Sequence, residues 1–326
     1  MEVADFNRDG KLDLAVAVHY KGIQVLLGNG HGAFTNSSEG LPFDKESKAE
    51  FTSRAIRALD WNGDGLPDLV AVSEGPRMGG GKSVHGIYLF LNQGAKGWRT
   101  MQPALSPGIF SDSLALGDFD GDGHKDIATG SMVLGRKDLV NLWRAGAPAP
   151  LNVDIPGVYH YVHAVAAGDF DHDGKDDLAV SYVSLENDVW YSSLDVYLAR
   201  AGGKWERRNL SHQPNRNVAV TLATGHLRSR NTVDLVALTM AGETLVYVGD
   251  RQGNLVREAG TIPVYDHGCR GAHVELADLD GDGRDEIVAS FADEPRTEGC
   301  TSGGGITAWK VAPESTGTTP HSAGGF

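Results

Sequence analysis

The chain has 326 residues, 40% hydrophobic content and a net charge of −14 at pH 7, enough apolar material for one large domain or two ordinary ones. It contains no run of eighteen apolar residues, so no membrane-spanning helix is expected. The acidic balance argues against non-specific binding to nucleic acid or anionic membrane, which needs a basic patch.

Forty-three glycines and few helix-period segments point to an all-β protein rich in turns. The start, MEVADFNRDG, has no basic n-region and no apolar h-region, and is not read as a signal peptide. It leads straight into DFNRDGKLDLAVA (5–17), an acidic loop followed by an alternating apolar run. SRAIRAL (53–59) reads as a strand, then DWNGDGLPDLVAV (60–72) repeats the loop-and-strand pattern. Within the segment 73–86, GPRMGGGKS (75–83) has the look of a phosphate loop, but Pro76 stands where that motif needs glycine and no helix follows. GIYLFLN (86–92) and GWRTMQP (97–103) complete the unit as a third and a weaker fourth strand.

The same order recurs. DFDGDGHKDIATG (118–130), DFDHDGKDDLAVS (169–181) and DLDGDGRDEIVAS (278–290) are further copies, and HLRSRNTVDLVAL (226–238) is a degenerate one. HAVAAG (163–168) is a first strand; SLDVYLA (193–199), TLVYVGD (244–250) and GITAWKV (305–311) are third strands; KWERRNL (204–210) is a fourth. Loops begin at 5, 60, 118, 169, 226 and 278, so the repeat is 51–58 residues long. Four short period-2 strands per unit predict a β-propeller of four-stranded blades with six repeats, a seventh being left open. The propeller is expected over 1–311, with the Pro/Ser/Thr/Gly-rich stretch 312–326 as a tail or linker.

Each loop follows D-x-[DN]-x-D-G-x-x-[DE]. Side-chain oxygens at positions 1, 3, 5 and 9, with the backbone carbonyl of position 7, would converge on one point in a tight curl, as hard oxygen ligands do around Ca²⁺. The predicted ligand sets are Asp5, Asn7, Asp9, Lys11 and Asp13; Asp60, Asn62, Asp64, Leu66 and Asp68; Asp118, Asp120, Asp122, His124 and Asp126; Asp169, Asp171, Asp173, Lys175 and Asp177; and Asp278, Asp280, Asp282, Arg284 and Glu286. Lys11, Leu66, His124, Lys175 and Arg284 enter only through their carbonyls. Position 12, the bidentate glutamate of an EF-hand, is here Val16, Ala71, Thr129, Val180 or Ala289. The loops hold eighteen carboxylates at positions 1, 3, 5 and 9, three in each of the first two and four in each of the others. Five Ca²⁺ ions would bring the chain from −14 to about −4 and reverse the repulsion within each cluster. No metal is expected at the degenerate loop, where His226, Arg228 and Arg230 replace the ligands; arginine charge takes the metal's place there, or the turn needs none.

These five loops with their following DLAVA, DLVAV, DIATG, DLAVS and EIVAS resemble the FG-GAP/VCBS repeat family, the propellers of integrin α subunits, several lectins and bacterial surface proteins. The resemblance implies metal loops on one face of the disc and partner binding on the other. It leaves the function open among a secreted or surface module that binds glycan or protein, a carbohydrate-active enzyme of the polysaccharide lyase type, and a scaffold within a larger adhesin.

The connections opposite the metal loops are long and aromatic, which nominates Tyr159, His160, Tyr161, His163, Trp190, Tyr191, Tyr265 and His267 as contacts for a sugar or protein ligand. Arg54, Asp112, His163 and His273 are placed to ring the channel mouth, as mutual ion pairs or as ligand contacts. For an enzyme, His160, His163, Arg77 and Tyr191 are the first candidates. Cys269 and Cys300 fall on the same face of the last unit and are predicted to pair. A disulfide, like calcium loops of modest affinity, suits an extracellular, cell-surface or periplasmic setting. The Asn36 and Asn209 sequons bear on this only in a eukaryotic source.

Overall fold

A computed structural model describes residues 1–311 apart from 48, 76–83, 134–139, 145–150, 154, 156–158, 259–261, 263–264, 266–267 and 294–298. Six antiparallel sheets form the blades of a β-propeller. Blade 1 is β1 (Glu2–Ala4), β2 (Asp13–Val18), β3 (Gly22–Gly28) and β4 (Phe34–Asn36). Blade 2 is β5 (Ser53–Leu59), β6 (Asp68–Ser73), β7 (Ile87–Asn92) and β8 (Trp98–Thr100). Blade 3 is β9 (Leu114–Gly117), β10 (Asp126–Gly130), β11 (Val140–Trp143) and β12 (Leu151–Val153). Blade 4 is β13 (Tyr159–Gly168), β14 (Asp177–Glu186), β15 (Val189–Arg200) and β16 (Lys204–Gln213). Blade 5 is β17 (Ala219–Gly225), β18 (Asp234–Thr239), β19 (Thr244–Gly249) and β20 (Leu255–Glu258). Blade 6 shows three strands among the described residues, β21 (Arg270–Ala277), β22 (Glu286–Ala292) and β23 (Gly304–Trp309). The expected tail 312–326 lies outside the described residues.

The second strand explains why this sequence stacks sheets. In β6, β10 and β18 every residue is buried, because runs such as DLVAVS carry apolar or small side chains at both parities and each parity meets a different neighbour. Leu69 and Ala71 join the cluster with Phe6, Ile23 and Val25 of blade 1, while Val70 and Val72 join Leu114 and Ile127 of blade 3. Similar clusters link blades 3 and 4, 4 and 5, and 5 and 6. In β2 and β22 burial alternates, so these strands are covered mainly on one face. Near the channel, the described bridge across the first and last blades is charged: Arg57 lies 3.7 Å from Glu2 and 4.0 Å from Glu275.

Blade 4 is longer than the rest. Its strands run 10 to 12 residues where those of the other blades run 3 to 8. The added length lies on the side away from the acidic loops and ends in a two-residue turn at Asn187–Asp188, both left-handed at φ 47° and 63°, the type I′ geometry suited to strand twist. Some four extra residues raise this hairpin roughly 13 Å above its neighbours.

Candidate functional sites on the two faces of the disc

All five acidic loops share one backbone solution. The carboxylate of position 1 accepts the amide of position 6: Gly10 to Asp5 at 2.7 Å, Gly65 to Asp60 at 2.7 Å, Gly123 to Asp118 at 2.8 Å, Gly174 to Asp169 at 3.1 Å and Gly283 to Asp278 at 2.7 Å. Position 5 accepts the amide of position 7, as in Lys11 to Asp9 at 2.9 Å and His124 to Asp122 at 2.8 Å. The curl needs a left-handed residue at position 6, which the glycine explains, and also at position 4, which the sequence pattern had left free. Arg8 and His172 adopt φ 60° and 58° there, and glycine holds the place in the other three loops.

The curl brings carboxylates together. Ligand atoms of Asp118, Asp120 and Asp122, of Asp169, Asp171 and Asp177, and of Asp278, Asp280 and Asp282 each lie within 4.8 Å of one another. Blades 1 and 2 have Asn7 and Asn62 at position 3 and so bring fewer charges to the same curl. A divalent cation fits these groups. Asp171 is nearly buried, one oxygen on Arg200 at 2.5 Å and the other without a hydrogen-bond partner. Burial, aided by neighbouring aspartates, pushes Asp68 up to about 6 and Asp126 and Asp177 up to about 7. Negative charge crowded in this way is what a hard cation relieves.

Position 9 has a second task. Asp13 accepts the amides of Phe6 (2.8 Å) and Gly28 (2.7 Å), tying the loop to the end of β3. Asp68 and Asp177 do the same with Trp61 and Asn92, and with Phe170 and Ala199. In the degenerate loop Asp234 keeps this role, taking Leu227 and Gly249 at 2.9 Å each. Its arginines engage neighbouring segments: Arg228 pairs with Glu258, and Arg230 donates to Gly283 O at 3.0 Å and to Asp282 O in the neighbouring loop. Loops are also clasped in pairs by position 8. Asp176 accepts the Asp118 amide at 2.8 Å while its own amide donates to Asp118 O, and Asp285 does likewise with His226. An acid at position 8 only in loops four and six was the available signal.

The opposite face holds a mouth of about 660 Å³ at the central channel. Arg54, Asp112, His163, Arg270 and His273 line it with Leu114, Met132, Val220 and Met240. Arg54 donates to Asp112 at 3.3 Å and to Glu74 at 3.1 Å, so ion pairs do form there, and His273 Nε2 hydrogen-bonds Glu275 at 2.9 Å. Sequence reading missed His19 and Glu74. The Glu74 carboxylate is buried and accepts from His19 Nδ1, the Tyr20 amide and Arg54. Burial, with the positive charge of Arg270, lowers His163 to about 4, so its imidazole is neutral.

Blade 4 adds an aromatic wall beside this mouth. Tyr161 meets His163 at 5.0 Å and Trp190 at 6.3 Å between ring centroids, and the Arg216 guanidinium lies 4.4 Å over the Trp190 ring. Tyr191 stacks on His212 at 4.3 Å. A buried charge stiffens the wall from below: Asp195 accepts from Tyr182, Arg207 and Asn209 at 2.7–2.9 Å. Tyr265 instead stacks on Phe291 at 4.7 Å and donates to Gly304 O. Tyr159 and His160 lie in β13, but their side chains, like His267 and Arg77, are outside the described residues. Cys269 and Cys300 form the predicted disulfide, with Cα atoms 4.4 Å apart.

The fold and its repeated loops define a β-propeller, and comparison with known proteins agrees. A profile described as FG-GAP-like repeat matches residues 5–71 and 60–129, and one described as FG-GAP repeat matches 161–182. Integrin alpha-PS5 of Drosophila melanogaster is 34% identical over 97 residues, 28% of this chain and 10% of the integrin. The chain thus spans about a tenth of that relative's length. Among solved structures, the BP39L lectin from Burkholderia pseudomallei aligns with a TM-score of 0.57 at 16% identity, covering 89% of this chain and 76% of the lectin. The Dos1 propeller aligns at 0.53 and 12% identity, covering 96% of this chain and 68% of its own. The matched stretches are thus FG-GAP-type repeats, set in a fold that is a β-propeller.

Proposed function

We propose that this chain is a calcium-stabilised binding module that holds a glycan or protein ligand on the face opposite its acidic loops, in an extracellular setting. The juxtaposition of the channel mouth with the Tyr161–Trp190–Arg216 wall carries the reading. Sugar rings stack on flat aromatic faces and exchange hydrogen bonds with paired charges such as Arg54–Asp112. The integrin relative, the lectin neighbour and the disulfide support it. Five loops furnish the calcium ligands, chiefly side-chain oxygens of positions 1, 3 and 5, with amide oxygens from Asn7 and Asn62 at position 3 and Asp177 joining the set in the fourth loop. The bound ion supplies charge neutralisation, and the loops' own amides hold the ligands in place. The test is a glycan and protein array probed with the calcium-loaded chain, repeated with Trp190→Ala. Binding that is unchanged in that variant overturns the assigned face.

A second reading, a carbohydrate-active enzyme, draws on the neutral His163 imidazole in the mouth. A neutral imidazole accepts a proton at Nε2 or Nδ1, the requirement of a general base. Absorbance at the wavelength of unsaturated sugar products, followed with acidic polysaccharides, tests it. Turnover that His163→Ala abolishes while binding persists favours the enzyme; no turnover favours the module.

A further inference from the structure

We infer that Lys310 is a built-in counter-ion of the acidic loop of blade 6, competing with the divalent cation for its seat, so that this loop binds calcium more weakly than it would without the lysine. The inference rests on the calcium reading above. Strand register fixes the comparison. Leu26, Phe90, Tyr197 and Tyr247 lie opposite the first apolar residue of the second strand in blades 1, 2, 4 and 5. The residue following each is Leu27, Leu91, Leu198 or Val248, all apolar. In blades 3 and 6 the corresponding partners are Trp143 and Trp309, and the next residues are Arg144 and Lys310.

These cations differ in reach, and both differ from Arg200 of blade 4, which holds Asp171 at 2.5 Å and lies 3.9 Å from Asp173. Arg144 contacts a single loop carboxylate, Asp120, at 3.1 Å. The Lys310 ammonium touches three: Asp280, Asp282 at 2.8 Å and Glu286 at 3.1 Å. These are positions 3, 5 and 9 of one loop. An ammonium has three N–H donors, so the three carboxylates saturate it. Asp278, Asp280 and Asp282 are the groups that converge within 4.8 Å; Lys310 therefore holds two members of the set a cation would use. Calcium must displace the ammonium and leave it beside a divalent charge, which costs affinity. In return, part of that loop's negative charge is neutralised without metal. The four-methylene stem of lysine allows that displacement, so competition and not permanent closure follows.

The experiment compares wild type with Lys310→Met and Lys310→Gln, each stripped with chelator and titrated with calcium chloride by calorimetry, with bound metal counted by mass spectrometry. The expected result is that both variants tighten one binding event by at least about tenfold, or gain one equivalent, while the other events keep their affinities. Both variants should also melt lower than wild type in chelator and recover in calcium. Titrations that superimpose on wild type in number and affinity of sites overturn the counter-ion role. A wild-type chain that takes up no calcium at any loop overturns the calcium reading itself, a distinguishable failure.

Discussion

Asp234 separates what the repeated loop does for the fold from what it does for a metal. It occupies position 9 of the one loop whose ligand positions are His226, Arg228 and Arg230, yet it is fully buried and accepts the Leu227 and Gly249 amides at 2.9 Å and a longer bond from Arg228 at 3.3 Å. Replacing it with alanine removes two good charge-assisted bonds, each contributing about 1.5–3 kcal/mol, and strands two amides in the interior. Against this, burial raises the Asp234 pKa, so part of the gain is spent keeping the carboxylate ionised. The net loss should be about 3–5 kcal/mol, and about 1–2 kcal/mol for Asp234→Asn, which keeps one acceptor oxygen. For a chain of this length the alanine loss corresponds to roughly 4–7 °C in Tm. Calorimetry or chemical denaturation with and without calcium reads it. The loss must be equal in calcium and in chelator, whereas Asp177→Asn, at the same position of a metal-type loop, must lose more in calcium. An Asp234→Ala cost under about 1 kcal/mol, or one seen only in calcium, would refute the staple.

Three further outcomes are expected. Stripping divalent cations with EGTA should lower Tm by many degrees, and Asp169→Asn with Asp171→Asn should shrink that response while leaving the chelated protein nearly unchanged; a melting curve indifferent to both calcium and EGTA would count against the ligand sets. His163 titrates near 4 in the folded chain against about 6.5 unfolded. The unfolded state then binds more protons between those values, so stability falls as pH drops from 6.5 towards 4, by up to about 3 kcal/mol. His163→Gln should flatten that limb of the stability profile, and an unaltered profile would contradict a half-buried neutral imidazole. Removing the partner of a buried charge is costly: Arg207→Ala leaves the fully buried Asp195 without its guanidinium and should destabilise by about 3–5 kcal/mol in equilibrium unfolding, with Asp195→Asn in the same background recovering part of the loss.

The repeat, the six blades and the curl of each loop are legible in the chain alone, because they are local. Alternation such as DLVAVS sets which side chains face which way, and a D-x-D-x-D-G run closes on its own amides within five residues. Even the disulfide was legible, since Cys269 and Cys300 belong to one blade. Whatever depends on residues far apart in the chain was decided by tertiary structure. Glu74 gathers His19 and Arg54 from different blades, Arg216 finds Trp190 from the next connection, and Lys310 reaches a loop about thirty residues earlier. Nor does composition distinguish Tyr265, stacked on Phe291, from Tyr161, beside the channel mouth; both sit in short aromatic stretches ahead of an acidic loop. A side chain's neighbours are set by how sheets stack around an axis, and pairings across blades leave no period in the sequence to read.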